Sequence, residues 1–204
     1  MSLRVYGVVM QDGHTPPRLP GSVKLLALRE LAAVTEEGDF TVKEADAEMI
    51  ERHDGVIRGL FDQGAILPAP VGTVFRSPDV LQRWMELHYV ALSDALAWMD
   101  GRVAARVHIT RAQARVSDKE AGSDLAAIAA EVTRSLRRHA VSTVPLRNEE
   151  VTGIVLTAAY LVERELWSEF KDEVEEEADK HPLVNLELTG PWPPYDFVRM
   201  QFGG

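Results

Sequence analysis

Histidines and their neighbouring carboxylates are the residues in this sequence that could support catalysis. His53 and His108 could each act as a general base, paired with a carboxylate such as Glu51 or Asp54. No second histidine follows His53 at the four-residue spacing of a metal-binding pair. The sequence contains no cysteine, which excludes disulfides, thiolate nucleophiles and cysteine-ligated metals. We therefore predict no catalytic residue, no metal and no cofactor, and no enzymatic activity.

His53 lies on an amphipathic pattern over residues 43–63 that predicts a helix capped by Gly64. A histidine within an apolar stripe is more often a core residue with one backbone or carboxylate partner than a base or a ligand. The residues of this stripe are Met49, Ile50, His53, Val56, Ile57, Leu60 and Phe61.

The next segment, AILPAPVGTVF over residues 65–75, predicts two short extended pieces hinged by Pro68 and Pro70. Gly72 allows close approach of the backbone. Because Gly72 and Thr73 lack a Gly-Lys-Ser/Thr ending, they are not a phosphate-binding loop.

Ser77 followed by Pro78 is a helix start, and apolar periodicity predicts one helix to Met99. This helix carries Trp84 and Trp98. Either tryptophan could be buried between domains or form an exposed adhesive surface.

The C-terminal stretch LELTGPWPPYDFV, residues 186–198, combines a strand with a proline-rich turn. We expect Gly190 to end the strand and residues 190–195 to be a stiff extended connector. Trp192 and Tyr195 would anchor it, either in the protein's own core or against a partner.

Composition is that of a folded soluble protein, with 46% hydrophobic and 26% charged residues. The formal net charge of −10 argues against nucleic acid or an anionic membrane as a partner. No apolar run is long enough to cross a bilayer and the first residues do not resemble a signal peptide, so we expect a cytoplasmic location.

The order of elements predicts an α+β protein of two domains. Residues 1–100 would form a small α+β domain beginning with a strand over 3–9. Residues 101–204 follow the order strand, helix, strand, strand, helix, strand, which predicts a ferredoxin-like (βαββαβ) domain ending in the GPWPPY connector. In this domain Val141–Leu146 would be an edge strand because of Pro145, and the apolar run 151–162 a central one.

The stretch ELTGPWPPYDFV is similar to the C-terminal signature of gas vesicle proteins of the GvpL/GvpF family, LTGPWPPYSFV, with Asp196 where serine is usual. The segment around Gly72 resembles the family's LPLRFGTVF motif, but Pro70-Val71 replaces the usual Arg-Phe. The opening RVYGVV and the run NEEVTGIVLTAAYLV also resemble the family. The family's frequent coiled-coil insertion has no room between Arg111 and Ser117.

This resemblance implies a gas vesicle accessory protein that acts in the cytoplasm during assembly. Its implied partners are the hydrophobic shell protein and other gas vesicle proteins. The candidate residues for partner contact or for the structural signature are Gly72, Phe75, Trp84, Trp98, Trp192, Pro193, Pro194 and Tyr195. An alternative is a small-ligand sensor or interaction module that keeps the fold without a gas vesicle role. An enzyme on this scaffold is a third hypothesis.

Overall fold

The structure, a computed structural model, describes residues 1–11, 17–40, 45–112, 121–147, 153–198 and 202 of the 204-residue chain, with backbone only for 121–123. The chain divides into two compact units. The first combines Met1–Gly101 with Pro193–Gly204, and the second is Arg102–Trp192. The last residues of the chain, which the sequence analysis assigned to the second domain, thus belong to the first unit.

The first unit is built on a five-stranded antiparallel sheet. Its strands are β1 (Ser2–Met10), β2 (Val23–Leu28), β3 (Leu31–Gly38), β4 (Ile66–Pro68) and β5 (Val74–Phe75), and its helices are α1 (Ala47–Phe61), α2 (Pro78–Leu87) and α3 (Tyr89–Met99). The strand order is β2-β3-β1-β4, and β5 also pairs with β1. The two short extended pieces expected in residues 65–75 are confirmed as β4 and β5.

β1 is buried on both faces. Its neighbouring residues Val8 and Val9 are 0% and 5% exposed, and neighbouring side chains of a strand point to opposite faces. The opening strand expected over residues 3–9 is confirmed. α1 and α3 both contact β1, so cover comes from more than one helix.

A charged cluster fastens α1 to the sheet. Glu36 of β3 accepts hydrogen bonds from the Tyr6 hydroxyl at 2.8 Å, from the Arg52 guanidinium at 2.6 Å and from the Ser22 hydroxyl. Arg52 also donates to the Tyr6 oxygen at 3.2 Å, and Arg4 lies 3.6 Å from the Glu36 carboxylate. A buried carboxylate is costly unless it is paired and hydrogen-bonded, and here both conditions are met.

The pKa values in this cluster follow from burial and from its hydrogen bonds. Burial alone would raise the pKa of Glu36, but hydrogen bonds from Ser22, Tyr6 and Arg52 outweigh burial and hold that pKa below its usual value. Burial raises the pKa of the Tyr6 hydroxyl, although its bond with Arg52 opposes the change. At neutral pH the tyrosine is therefore a neutral donor and the glutamate an accepting anion.

His53 is a core residue, as predicted. It is 2% exposed, its Nε2 lies 2.9 Å from the Ala69 carbonyl oxygen, and its ring centre is 5.3 Å from that of Tyr6. Burial lowers the pKa of His53, and the hydrogen bond to Ala69 offsets this only in part. The imidazole is therefore neutral at pH 7.

The single helix expected to reach Met99 is wrong, because the chain breaks at His88 into α2 and α3. The His88 backbone has φ −106° and ψ 11°, outside the helical region. Its Nδ1 lies 2.8 Å from the Trp84 carbonyl oxygen, which also accepts the His88 backbone N–H at 3.1 Å. A side chain that bonds its own helix backbone in this way competes with continuation of the helix.

The elements of the second unit are β6 (Arg102–Arg111), α4 (Ala121–Leu136), β7 (Ser142–Leu146), β8 (Ile154–Glu163), α5 (Trp167–Lys180) and β9 (Val184–Trp192). Its strands form a four-stranded antiparallel sheet with the order β7-β8-β6-β9. α4 contacts α5 and β8, and α5 contacts β8 and β9. The chain is thus an α+β protein with two antiparallel sheets.

Two strand assignments in this unit are confirmed. β7 is an edge strand, and its Pro145, which has no N–H to donate, pairs with Ala158. β8 lies between β7 and β6, and its residues 157–162 are all buried. The uninterrupted apolar run therefore marked a strand that is covered on both faces.

The C-terminal strand was expected to end at Gly190, but it continues to Trp192 as β9. The register slips by a bulge opposite residues 104–106, and Trp192 pairs with Ala104. Gly190 permits this because its φ is +132° and because a Cβ there would lie 2.9 Å from the Ala104 carbonyl oxygen. The stiff connector predicted over 190–195 is thus partly strand, and it leads into a 3-10 turn over Tyr195–Phe197.

Several sequence predictions fall outside the described residues. These are the start of the first helix at residue 43, most of the short segment between Arg111 and Ser117, and the first two residues of the run 151–162. Within the described ranges, no helix combines the length and the apolar character needed to cross a membrane.

We expect the free energy of unfolding to fall on acidification, with Glu36 contributing to the loss. Because its folded pKa is lowered, the stability it contributes is present above its unfolded value of 4.5 and is lost as the pH falls through the folded value. Glu36→Gln should be less stable than the parent at pH 7 but lose less stability between about pH 5 and pH 3. Urea titrations across that range measure both effects.

Glu37→Gln is the matched control, because Glu37 pairs with Lys24 only at an exposed site. It should follow the parent at every pH. Parallel pH profiles for the parent and Glu36→Gln would contradict the role given to the Glu36 carboxylate.

Candidate contact surface

α3 carries more apolar side chains than one buried side can take. Its sequence is YVALSDALAWM, and Leu92, Leu96 and Met99 are its buried residues. The buried side faces the sheet, since α3 contacts β4 and β1. A helix that is apolar all round must be covered on its other sides as well or leave apolar surface in solvent.

Solvent reaches the opposite side of α3. Val90 is 69% exposed and Trp98 is 39% exposed, and Leu87, the last residue of α2, is 83% exposed. We define the α3 face as the exposed residues of α3 together with Leu87 at the end of α2, namely Leu87, Val90, Ala91, Asp94, Ala97 and Trp98. Residues three or four positions apart share one side of a helix. This spacing relates Val90 to Asp94, and Asp94 to both Ala97 and Trp98.

A cavity of about 650 Å³ adjoins the α3 face. Leu96 and Ala97 of α3 form one of its walls, Leu60 and Gln63 lie at and just beyond the end of α1, and Val9 and Met10 come from the end of β1. Ala97 belongs to both the cavity lining and the α3 face. The exposed apolar surface of the helix therefore adjoins a recess that is lined by both polar and apolar groups, with Gln63 and Asp100 among them.

Aromatic rings surround Trp84 beside this surface. The Trp84 ring lies 5.7 Å from Phe75 in an edge-on contact, and it stacks on His88 at 4.8 Å and on Phe202 at 5.1 Å. The structure thus brings together two predicted candidates, Phe75 and Trp84. Trp84 is buried, so it supports the surface from below rather than lying in solvent.

The C-terminal residues contribute a second aromatic contact. Phe197 is buried and packs edge-on against Trp98 at 6.4 Å. The Tyr195 hydroxyl donates to Asp54 Oδ1 at 3.2 Å, and the preceding Pro193 and Pro194 are both buried. Tyr195, which was predicted as an anchor, and the two candidate prolines belong to the first unit together with Trp98.

Trp192 and Gly72 have other surroundings. Trp192 belongs to the second unit, where it is half-buried and its Nε1 donates to the Thr189 hydroxyl at 3.2 Å. Gly72 lies in the turn between β4 and β5 with φ +83°, a conformation that favours glycine. The turn is held by hydrogen bonds from the Thr73 backbone and hydroxyl to the Pro70 carbonyl. Gly72 therefore has a conformational role here.

The two histidines considered as bases are engaged elsewhere. His53 bonds a backbone carbonyl in the core of the first unit, as described above. His108, in the second unit, has its Nδ1 3.1 Å from the Thr157 hydroxyl. The chemistry that the α3 face offers is contact with apolar groups, and Asp94 is its one carboxylate among the residues defined above.

Sequence reasoning missed Leu87, Val90, Phe197 and Phe202. It expected one continuous helix over this segment, whereas the helix breaks at His88 and both Leu87 and Ala91 are exposed. The available signal was the composition of α3, which has apolar residues in excess of a single stripe. Phe197 and Phe202 carried no signal, because their contacts depend on the return of the chain to the first unit.

Comparison with known proteins agrees with this architecture. A family model described as gas vesicle synthesis protein GvpL/GvpF matches residues 3–125 and 110–199. The chain belongs to the GvpL/GvpF family. The resemblance read from the sequence motifs is thereby confirmed, and it places the chain among gas vesicle proteins.

Relatives of this GvpL/GvpF chain match over most of their length. Gas vesicle protein F2 of Halobacterium salinarum is 26% identical over 182 residues, which cover 87% of this chain and 81% of the relative. Gas vesicle protein L of a Streptomyces species is 29% identical over an alignment of 242 residues, which covers 94% of this chain and 88% of the relative. The crystal structure of GvpF from Anabaena has a TM-score of 0.81 at 16% identity and covers 98% of this chain and 97% of that one. That structural likeness shows a shared fold.

We expect the two candidate tryptophans to differ in their contribution to stability. Trp84→Ala should lower the free energy of unfolding by about 3–5 kcal/mol, the usual cost of truncating a buried aromatic. Trp192→Ala should cost less, about 1–2 kcal/mol, because its ring is only half-buried. Equilibrium denaturation followed by circular dichroism measures both. Equal losses would contradict the different environments assigned to the two rings.

Proposed function

We propose that this GvpL/GvpF protein is an accessory protein of gas vesicle assembly that binds the hydrophobic shell protein through the α3 face. The supporting observation is the exposure of Leu87 and Val90, which are 83% and 69% accessible on a chain with a net charge of −10. Apolar patches rimmed by polar residues mark sites of protein interaction. An apolar shell subunit fits this surface in chemistry.

The α3 face is suited to hold an apolar segment. Fully burying a leucine or valine side chain contributes about 1.5–3 kcal/mol, so Leu87 and Val90 together could supply much of a moderate affinity. The adjoining cavity gives the segment a recess next to the helix. Binding in a groove beside a helix is a recurrent mode of peptide recognition.

The strong negative charge gives the complex a second property. A shell subunit bound on its apolar side would share the charge of its carrier, and net charge away from zero opposes association of proteins with one another. The protein would in this way keep an aggregation-prone subunit dispersed in the cytoplasm until it joins a growing vesicle. Other gas vesicle proteins would receive the subunit from this complex.

We also infer that the two compact units are two domains and that the second is ferredoxin-like. The support is the element order strand, helix, strand, strand, helix, strand, together with the sheet order β7-β8-β6-β9. In this division the first domain consists of residues 1–101 and 193–204, and the second of 102–192.

Replacing both exposed residues of the α3 face tests the proposed function. Leu87→Gln with Val90→Gln should leave the melting temperature near that of the parent, because exposed substitutions usually change stability by less than about 0.5 kcal/mol. Capture of coexpressed shell protein should fall at least about tenfold, because interface anchors commonly contribute 2 kcal/mol or more. Quantitative pull-down, with thermal melts on the same samples, measures both.

Val141→Gln with Leu166→Gln is the matched control. Both side chains are 43% exposed and lie in the second unit, and this variant should capture shell protein as the parent does. Undiminished capture by the α3-face variant would rule out this surface. Failure of the folded parent to capture shell protein would rule out the function itself.

A further inference from the structure

The C-terminal tail, Pro193–Val198 with Phe202, contacts the α3 face and its aromatic support. Phe197 packs on Trp98, a member of the α3 face, at 6.4 Å between ring centres. Phe202 stacks on Trp84 at 5.1 Å, and Trp84 lies one helical turn before the exposed Leu87. A partner that spreads over the α3 face therefore meets this chain's own tail at its margin.

The described core of the tail forms a turn of its own. The backbone N–H of Tyr195 donates to Pro193, that of Phe197 to Pro194, and that of Val198 to Tyr195. The two prolines have fixed φ angles and therefore lose less conformational freedom than other residues when the turn forms. This turn can separate from the rest of the unit as one piece, and once separated its short-range hydrogen bonds open to solvent, so that its amides exchange faster.

The contacts given above between the tail and the rest of the unit are made by side chains. One is the Tyr195–Asp54 hydrogen bond, whose acceptor carboxylate also pairs with Arg58 through the other oxygen at 3.0 Å. The Asp54 side chain is 41% exposed, so water can replace the tyrosine hydroxyl. Two further contacts are those of Phe197 with Trp98 and of Phe202 with Trp84, and an apolar partner could form equivalent contacts with both tryptophans.

The exposure of Phe197 and Trp98 is consistent with replacement of the tail by a partner. Phe197 is buried where it rests, whereas Trp98 stays 39% exposed with the tail in place. The tail thus covers one edge of the Trp98 ring and leaves the rest to solvent. A partner side chain in the place of Phe197 would cover the same edge and continue onto the exposed part.

We propose that the C-terminal tail is a displaceable strap that competes with the shell protein for the α3 face. In the closed state the tail covers the margin of that face. When the tail is displaced, the parts of Trp98 and Trp84 that it covered become available to the partner. This regulation rests on the proposed function. The strap lowers the apparent affinity for the partner by the fraction of molecules in which it is open, and partner binding in turn holds it open.

The test loosens the strap in the full-length protein with Tyr195→Phe combined with Phe202→Ala. The first change removes the hydroxyl that bonds Asp54, and the second removes the ring that stacks on Trp84. Leu183→Ala is the control, since it truncates a 39% exposed apolar side chain in the second unit. Tyr195→Phe alone, which removes one oxygen, serves if the double variant does not fold.

Three measurements are made on each variant. They are hydrogen exchange of the Tyr195, Phe197 and Val198 amides, binding of a dye that fluoresces on apolar surfaces, and affinity for shell protein. The strap variant should exchange faster, bind more dye and bind shell protein about threefold or more tightly. The control should match the parent in all three.

Affinity that is unchanged or weaker in a variant with faster exchange would overturn the proposal, because the tail would then be neutral or part of the binding surface. Unchanged exchange would overturn it too, since the named contacts would not be what holds the tail. If neither the parent nor any variant binds shell protein, the proposed function fails. In that case dye binding alone tests whether the tail is displaceable from an apolar surface. Faster hydrogen exchange without increased dye binding would mean that displacement of the tail uncovers no apolar surface.

Discussion

The burial of β1 on both faces is the constraint on which the first unit depends. A strand at the centre of a sheet satisfies its backbone hydrogen bonds through its neighbours, but its two rows of side chains need cover on both sides. α1 and α3 both contact this strand. The Glu36 cluster fixes α1 by charge and hydrogen bonds, whereas α3 is held by its buried Leu92, Leu96 and Met99. The apolar residues of α3 that do not pack on the sheet, such as Val90 and Trp98, are exposed to solvent.

The elements that sequence reasoning placed well are those whose pattern depends on local burial. The uninterrupted apolar run of β8 indicated a covered central strand, and Pro145 marked β7 as an edge. His53 was assigned to the core because it shares a helical stripe with apolar neighbours. The motifs around Gly72 and Trp192 indicated the family, which could not have been identified from the periodicity of apolar residues.

The features that sequence reasoning misplaced depend on contacts between residues of different elements or on backbone detail. The ring of His88 bonds the Trp84 carbonyl at the point where a helix that periodicity read as continuous divides into two. Gly190 was read as a strand end, yet its freedom from a Cβ lets β9 continue as a bulge beside Ala104. Phe75 and Trp84 were recognisable candidates because they are aromatic residues near a motif, whereas Phe197 acquires its role only when the tail returns to Trp98.

The first unit is made of two pieces of chain separated by the whole of the second. A ribosome adds residues at about 5–20 per second and domains generally fold in order as they emerge. Here residues 102–192 must be synthesised before Phe197 and Phe202 exist. Trp98 and Trp84 therefore lack these two ring partners on every nascent chain until the whole of the second unit has been synthesised. These two aromatic contacts of the first unit thus form only after the residues of the second unit have been made.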